Sequence, residues 1–470
     1  MSIERISMNG DASGGRRAYR MIWRWHFYAG LFCIPFVICL ATTGSIYLFR
    51  PQIEALFDRP YTNLPTTGPL ATPAARVGAA LAAVPGSTMH AYQLSGSGGD
   101  ATQVLVGKGG DEFRVYVRPD TLQILKVANE EDRPMRVLFH LHGELLMGDR
   151  GSMVVELAAS WAIVLLLTGL YLWWPTSARG LAGVLYPRLR AEGRVFWRDL
   201  HGVTAFWVSL FALFLLISGL PWAKSWGGML REVRHWGSSV AVGQDWTTGS
   251  GSEAAARKAK DAGADFAHAE HGRHAAMKAG MSAPGDYAAI DTIVKTVQPL
   301  DLAPPVLISP PSARAAQWSA RSDAANRPQR VDLVLDAATG QVIKRTDFAQ
   351  RPVVDRLVGY GVAAHEGQLF GWLNQALGVF TAVGLILVSV SAVKLWWSRR
   401  PAGVLGAPAA GTNPRFSIVL AVAIVLLAII LPLLGISLVA TLLIERLVLQ
   451  RVPRASLFLG LSRSANPQVS

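Results

Sequence analysis

Four histidines stand near the starts of apolar helices, and their spacing is doubled. His365 lies six residues before Gly371 and 31 before Trp396, and 223 positions earlier His142 lies six before Gly148 and 31 before Trp173. A second doubling, offset by 175, sets His26 18 residues ahead of Gly44 and His201 18 ahead of Gly219. An ionisable side chain in or beside a membrane span points to function by default, and neutral imidazole is a good axial ligand for haem iron. A single histidine of this kind would read as an interfacial anchor. Four at repeat-related positions, paired by topology as His26 with His201 and His142 with His365, read as two bis-imidazole sites. Two imidazoles per membrane face are too few for a closed zinc site, which wants four ligands.

The elements that must hold these residues are membrane helices. A hydrophobic content of 51% with only 16% charged residues in 470 argues against an ordinary soluble protein. Apolar runs long enough for a hydrocarbon layer of roughly 30 Å place spans at 22–49, 151–174, 203–222, 371–397 and 416–446. Basic residues crowd the tail 1–21 and the loops 175–202 and 398–415, which the positive-inside rule puts in the cytoplasm. The long segments 50–150 and 223–370 are then exported domains, and 447–470 is a C-terminal tail. The fold class is an α-helical membrane protein with α+β exported domains: a duplicated helix, domain, helix unit followed by a fifth transmembrane helix.

Other features narrow the chemistry. The net charge of +13 is spread over loop flanks with no nucleic-acid motif, so it speaks for anionic lipid headgroups and against a nucleic-acid partner. Cys33 and Cys39 lie within the first apolar helix, six apart and on different faces, and read as packing residues. There is no CxxCH for covalent attachment, so any haem is non-covalent b. Each helix also carries a small pair at the end opposite its histidine: Thr43/Gly44, Thr168/Gly169, Ser218/Gly219 and Ser391/Ala392. A flat porphyrin would need such room, although small residues also pack helices closely. Arg24, Arg194 and Arg198 on one face, and Arg136 and Arg356 on the other, are candidate propionate partners, and His140 points to a different helix face from His142.

The duplication extends to the exported segments, where 115–126 (VYVRPDTLQILK) matches 333–344 (LVLDAATGQVIK) as strand, turn and strand. Between the third span and the second hairpin, His268, His271, His274, Met277 and Met281 recur at helical intervals and could present a soft or borderline metal site, with a solvated linker as the plainer reading.

Leu141, His142, Leu145 and Gly148, the helix end Thr168, Gly169, Trp173, Trp174 and Pro175, the run from Pro432 to Leu438 and the doubled hairpin together resemble the PepSY-associated transmembrane proteins, over about residues 16–450. The insertion, and HEGQ in place of the LHxxL pattern in the fourth helix, are departures. The resemblance implies a bacterial inner-membrane protein carrying two b haems and reducing a ferric siderophore or other metal chelate outside the cytoplasm. No Walker A or GxGxxG fingerprint is present, so the electron donor is a separate cytoplasmic reductase or a quinol. The alternatives are a non-catalytic binding or regulatory module held by membrane helices, and a protein that handles copper or a similar ion.

Overall fold

The computed structural model describes residues 3–175, 180–237, 287–311, 317–408 and 418–461, with side chains described for all of these except 3–17 and 234–237. His268, His271, His274, Met277 and Met281 lie outside the described residues. The chain divides into two compact units, one formed by Met1–Ser45, His142–Val242 and Ala376–Ser470, the other by Ile46–Leu141 and Gly243–Gln375.

The second unit holds an eight-stranded antiparallel sheet. Its strands are β1 (Thr88–Gln93), β2 (Thr102–Lys108), β3 (Asp111–Val117), β4 (Ile124–Asn129), β5 (Val306–Ser309), β6 (Trp318–Ser322), β7 (Val331–Leu335) and β8 (Val342–Asp347). Their order is β4-β3-β2-β1-β5-β6-β7-β8, so two four-stranded meanders join where Tyr92 and Gln93 pair with Ile308 and Leu307. Alternation makes one face apolar: Val331, Leu333 and Leu335 of β7 point inward while Asp332 and Val334 are only partly covered. That face carries two helices, Pro73–Ala83 and Ile290–Val297, whose Val77, Ala80, Ile290, Ile293 and Val297 pack with Val104, Ile308 and Trp318. Fully burying one such aliphatic side chain is worth about 1.5–3 kcal/mol. The two hairpins match in detail. The register shifts between Tyr116 and Val117 in one and between Val334 and Leu335 in the other, and Leu122 at φ 62° stands where the second turn has Gly340 at φ 70°.

Among the described residues, five helices are long and apolar enough to cross a membrane: Ala18–Tyr47, Gly148–Trp173, Gly193–Trp222, Trp372–Arg399 and Pro432–Arg451. The last is the clearest departure from the expected continuous span at 416–446. That run breaks into Ile418–Ile430 and Pro432–Leu447, because Pro432 has no N–H to return to the Ala428 carbonyl. The bend brings Gly435 against Ala428, whose oxygen would lie 3.1 Å from an added Cβ. The Trp226 indole donates to the Ile430 carbonyl at 3.1 Å, and Leu431 and Leu434 bury against Ile163 and Leu220.

The labels used below number the helices in chain order: α1 (Ile3–Tyr47), α2 (Arg50–Asp58), α3 (Pro73–Ala83), α4 (Pro134–Glu144), α5 (Gly148–Trp173), α6 (Gly193–Gly219), α7 (Lys224–Gly237), α8 (Ile290–Val297), α9 (Val353–His365) and α10 (Trp372–Arg399).

Candidate functional site

His142 and His365 do not start spanning helices; they end the short helices α4 and α9 that precede them. After His142 the backbone passes through the left-handed region at Leu145 and Leu146 and again at Gly148, and after His365 it does so at Gly367 and Gly371. Gly148 and Gly371 have φ values of 58° and 60°. The glycine six residues after each histidine is therefore the residue that tolerates the turn into the spanning helix.

The helical unit packs through small residues, as helices must where hydrocarbon gives no hydrophobic drive between them. Gly30 of α1 faces Leu165 of α5, Cys33 lies against the Ala158 carbonyl, and Gly384 of α10 faces Val208 of α6. Trp173 and Phe206 stack at 4.2 Å across α5 and α6. Among these helices sit three imidazoles.

Each of the three is braced at Nδ1. His26 lies 3.0 Å from Thr168 Oγ1, and that hydroxyl donates its own proton to the Val164 carbonyl at 2.7 Å. Thr168 can therefore only accept, so His26 carries its proton on Nδ1 and Nε2 keeps a lone pair. His142 repeats the arrangement with Thr43, 2.9 Å from Nδ1, whose hydroxyl donates to the Cys39 carbonyl at 2.8 Å. His201 donates from Nδ1 to the Val388 carbonyl at 3.0 Å, an acceptor with no proton of its own, with Ser391 Oγ 3.3 Å away. A hydrogen-bonded Nδ1–H and a bare Nε2 is the state in which histidine binds a metal.

His26 and His201 are brought together, their ring centroids 6.5 Å apart and their planes at 83°. Two metal–nitrogen bonds of about 2 Å each, plus the depth of two half-rings, sum to roughly 6 Å. That sum is close to the separation of the two rings. His142 belongs to the helical unit and His365 to the sheet-bearing unit.

The small pairs have a more specific role than open space. Threonine supplies the acceptor, and glycine clears the ring: an added Cβ at Gly169 would lie 3.1 Å from His26 Cε1, and one at Gly44 would lie 3.1 Å from His142 Cε1. Antiparallel order of the spans by itself sets the small pairs of two helices level with the histidines of the other two; what packing adds is the hydrogen bond between each ring's Nδ1 and a threonine hydroxyl.

Several candidate arginines have protein partners. Arg24 donates to the Pro408 and Gly460 carbonyls at 2.8 and 2.9 Å, Arg198 pairs with Asp199 and Arg136 with Glu131. Arg194 is exposed. Arg399, which the sequence marked only for orientation, lies over the Trp23 and Phe27 rings. His140 bonds Glu131 through Nε2 at 2.8 Å, a different environment from that of His142. Among the described residues, no group of three or more His, Cys, Asp or Glu is placed to hold a metal ion.

These features define a multi-span helical membrane protein with an antiparallel-sheet domain and histidines braced between its helices. The chain belongs to the PepSY-associated TM region family, whose model matches residues 23–399. No curated protein matches it.

Proposed function

We propose that this protein carries electrons across a bacterial inner membrane and delivers them to the iron of a ferric siderophore. The observation that carries the reading is the approach of His26 and His201 to 6.5 Å with the Nδ1–H of each already engaged. A b-type haem held by that pair would supply one-electron redox chemistry. The protein's part is to fix both rings, keep both Nε2 atoms unprotonated and exclude water through the surrounding helices. His142 is prepared in the same way by Thr43; its pairing with His365 as the second haem site rests on the sequence repeat.

The matched register shifts and turns of the two hairpins support descent of both halves from one helix, domain, helix unit. Orientation follows the basic loops, with the N-terminus cytoplasmic and the sheet unit periplasmic. The donor is a cytoplasmic reductase or a quinol. Hard oxygen donors favour Fe(III) over Fe(II), so one-electron reduction loosens the metal and spares the chelator. The absorption spectrum of purified protein before and after dithionite is the test: a reducible b-type spectrum is expected, and a colourless, well-folded preparation made with adequate haem overturns the reading.

A metal site at His268, His271, His274, Met277 and Met281 is a separate proposal resting on spacing. Deleting 262–282 should abolish Cu(II) or Zn(II) binding while the haem spectrum stays intact.

A further inference from the structure

The geometry points to a binding site for a small organic carboxylate in the sheet unit, in a cavity of about 260 Å³ whose walls include Arg76, Tyr92, Asp291 and Lys295. It is independent of the electron-transfer reading.

Arg76 of α3 is 8% exposed. Its Nη1 donates to Thr102 Oγ1 at 3.0 Å and reaches Tyr92 Oη at 3.4 Å, both neutral and both buried. Among the described residues its Nε has no acceptor, and it is sealed from solvent. Asp291 lines the same cavity, but its Oδ1 accepts from the Ala74 amide at 2.8 Å. Burying a guanidinium without a carboxylate is costly, and the core does not require it. The neighbouring helix α8 meets the same core with Ile290, Ile293, Val294 and Val297. The charge is therefore retained for something that enters the cavity.

A guanidinium presents a planar fork that matches a carboxylate bidentately. Arg76 lines the cavity, so its charge is what an entering carboxylate would meet. Lys295 is exposed on α8 and adds a second positive charge, and Asp291 subtracts one, so the charges on the wall suit a monoanion. Leu70 and Leu94 also line the cavity and offer an apolar wall to the ligand body. The volume falls below the roughly 300–1,000 Å³ of pockets for drug-sized ligands, so the ligand is smaller than a siderophore chelate.

The test uses the full chain in detergent, titrated calorimetrically with benzoate and isovalerate, and with benzamide and inorganic phosphate as comparisons. Saturable binding of a carboxylate, with no binding of benzamide, is expected. Arg76→Met should weaken that binding about tenfold or more, the loss of a charge-assisted contact, without lowering the melting temperature. Lys295→Ala, on an exposed position, should weaken it several-fold and gives a readout even if the Arg76 variant does not fold. Failure of both carboxylates to bind the native protein, unchanged affinity in Lys295→Ala, or phosphate binding more tightly than either carboxylate would overturn the proposal.

Discussion

His26 and Thr168 stand 3.0 Å apart, ring Nδ1 to hydroxyl oxygen, and Thr168 has already given its proton to the Val164 carbonyl. The tautomer of the histidine is thus set by a helix it does not belong to. Removing only that acceptor should be felt at the metal: Thr168→Val is expected to bind haem about 10- to 100-fold more weakly, as loss of a partner outside the ligand sphere does elsewhere, and Thr168→Ser to restore it. Transfer of haem to apomyoglobin measures both. Equal retention by the Val variant would mean that His26 is not a ligand.

Ligand deletions should separate by pair. His26→Ala and His201→Ala are each expected to lower haem content from about two to about one per chain, with the same spectral component lost in both. His142→Ala should remove the other component. Pyridine haemochrome assay and low-temperature difference spectra decide it, and loss of one shared component from His26→Ala and His142→Ala would break the assignment.

Gly169→Ala separates ring clearance from helix stability. Alanine raises helix propensity by about 0.8–1.0 kcal/mol over glycine, yet its methyl would lie 3.1 Å from His26 Cε1. The variant should therefore fold at least as well and lose haem. Gly78→Ala in α3, where nothing among the described residues lies within 4 Å of the added Cβ, is the control that should leave haem content unchanged.

Acid should weaken the sheet unit through Glu130 and Glu131. Burial opposes ionisation of Glu130, but Arg114 and then Arg133 hold its carboxyl at about 2. Burial likewise opposes Glu131, which His140 and Arg136 hold at about 2. Both values lie below the usual 4.5. Their stabilisation is therefore fully present above about pH 4.5 and is lost as pH falls through about 2. The melting-temperature gap between the native chain and Glu130→Gln should be constant near neutrality and should close across that window. A gap that widens on acidification contradicts the ion-pair account.

In proteoliposomes with the protein reduced, a ferric siderophore added outside should reoxidise the haem and release Fe(II) that ferrozine traps. Arg133, Arg136 and Arg351 lie in the segments leading into His142 and His365, where basic residues would attract an anionic chelate, but they pair with Glu130, Glu131 and Asp332, which spends part of that charge. The rate should accordingly fall only modestly when Arg351 is changed to Gln. Haem that stays reduced with ferric chelates but is reoxidised by Cu(II) or a quinone sinks the siderophore assignment.

The sequence by itself determined the class. Long apolar runs have few ways to satisfy their backbone in lipid except as helices, and the equal spacing from histidine to glycine within each pair of segments was the signal for proposing a repeat. The hairpin match at 115–126 and 333–344 was legible too, because strand, turn and strand have a local chemistry. Only the tertiary structure decided that β1 and β5 join the two meanders, since edge pairing is a long-range choice that side-chain alternation does not encode. It alone assigned Thr168 to His26, Thr43 to His142 and the Val388 carbonyl to His201. Those partners lie 142, 99 and 187 residues away, and which proton a histidine keeps depends on the acceptor that packing brings to it.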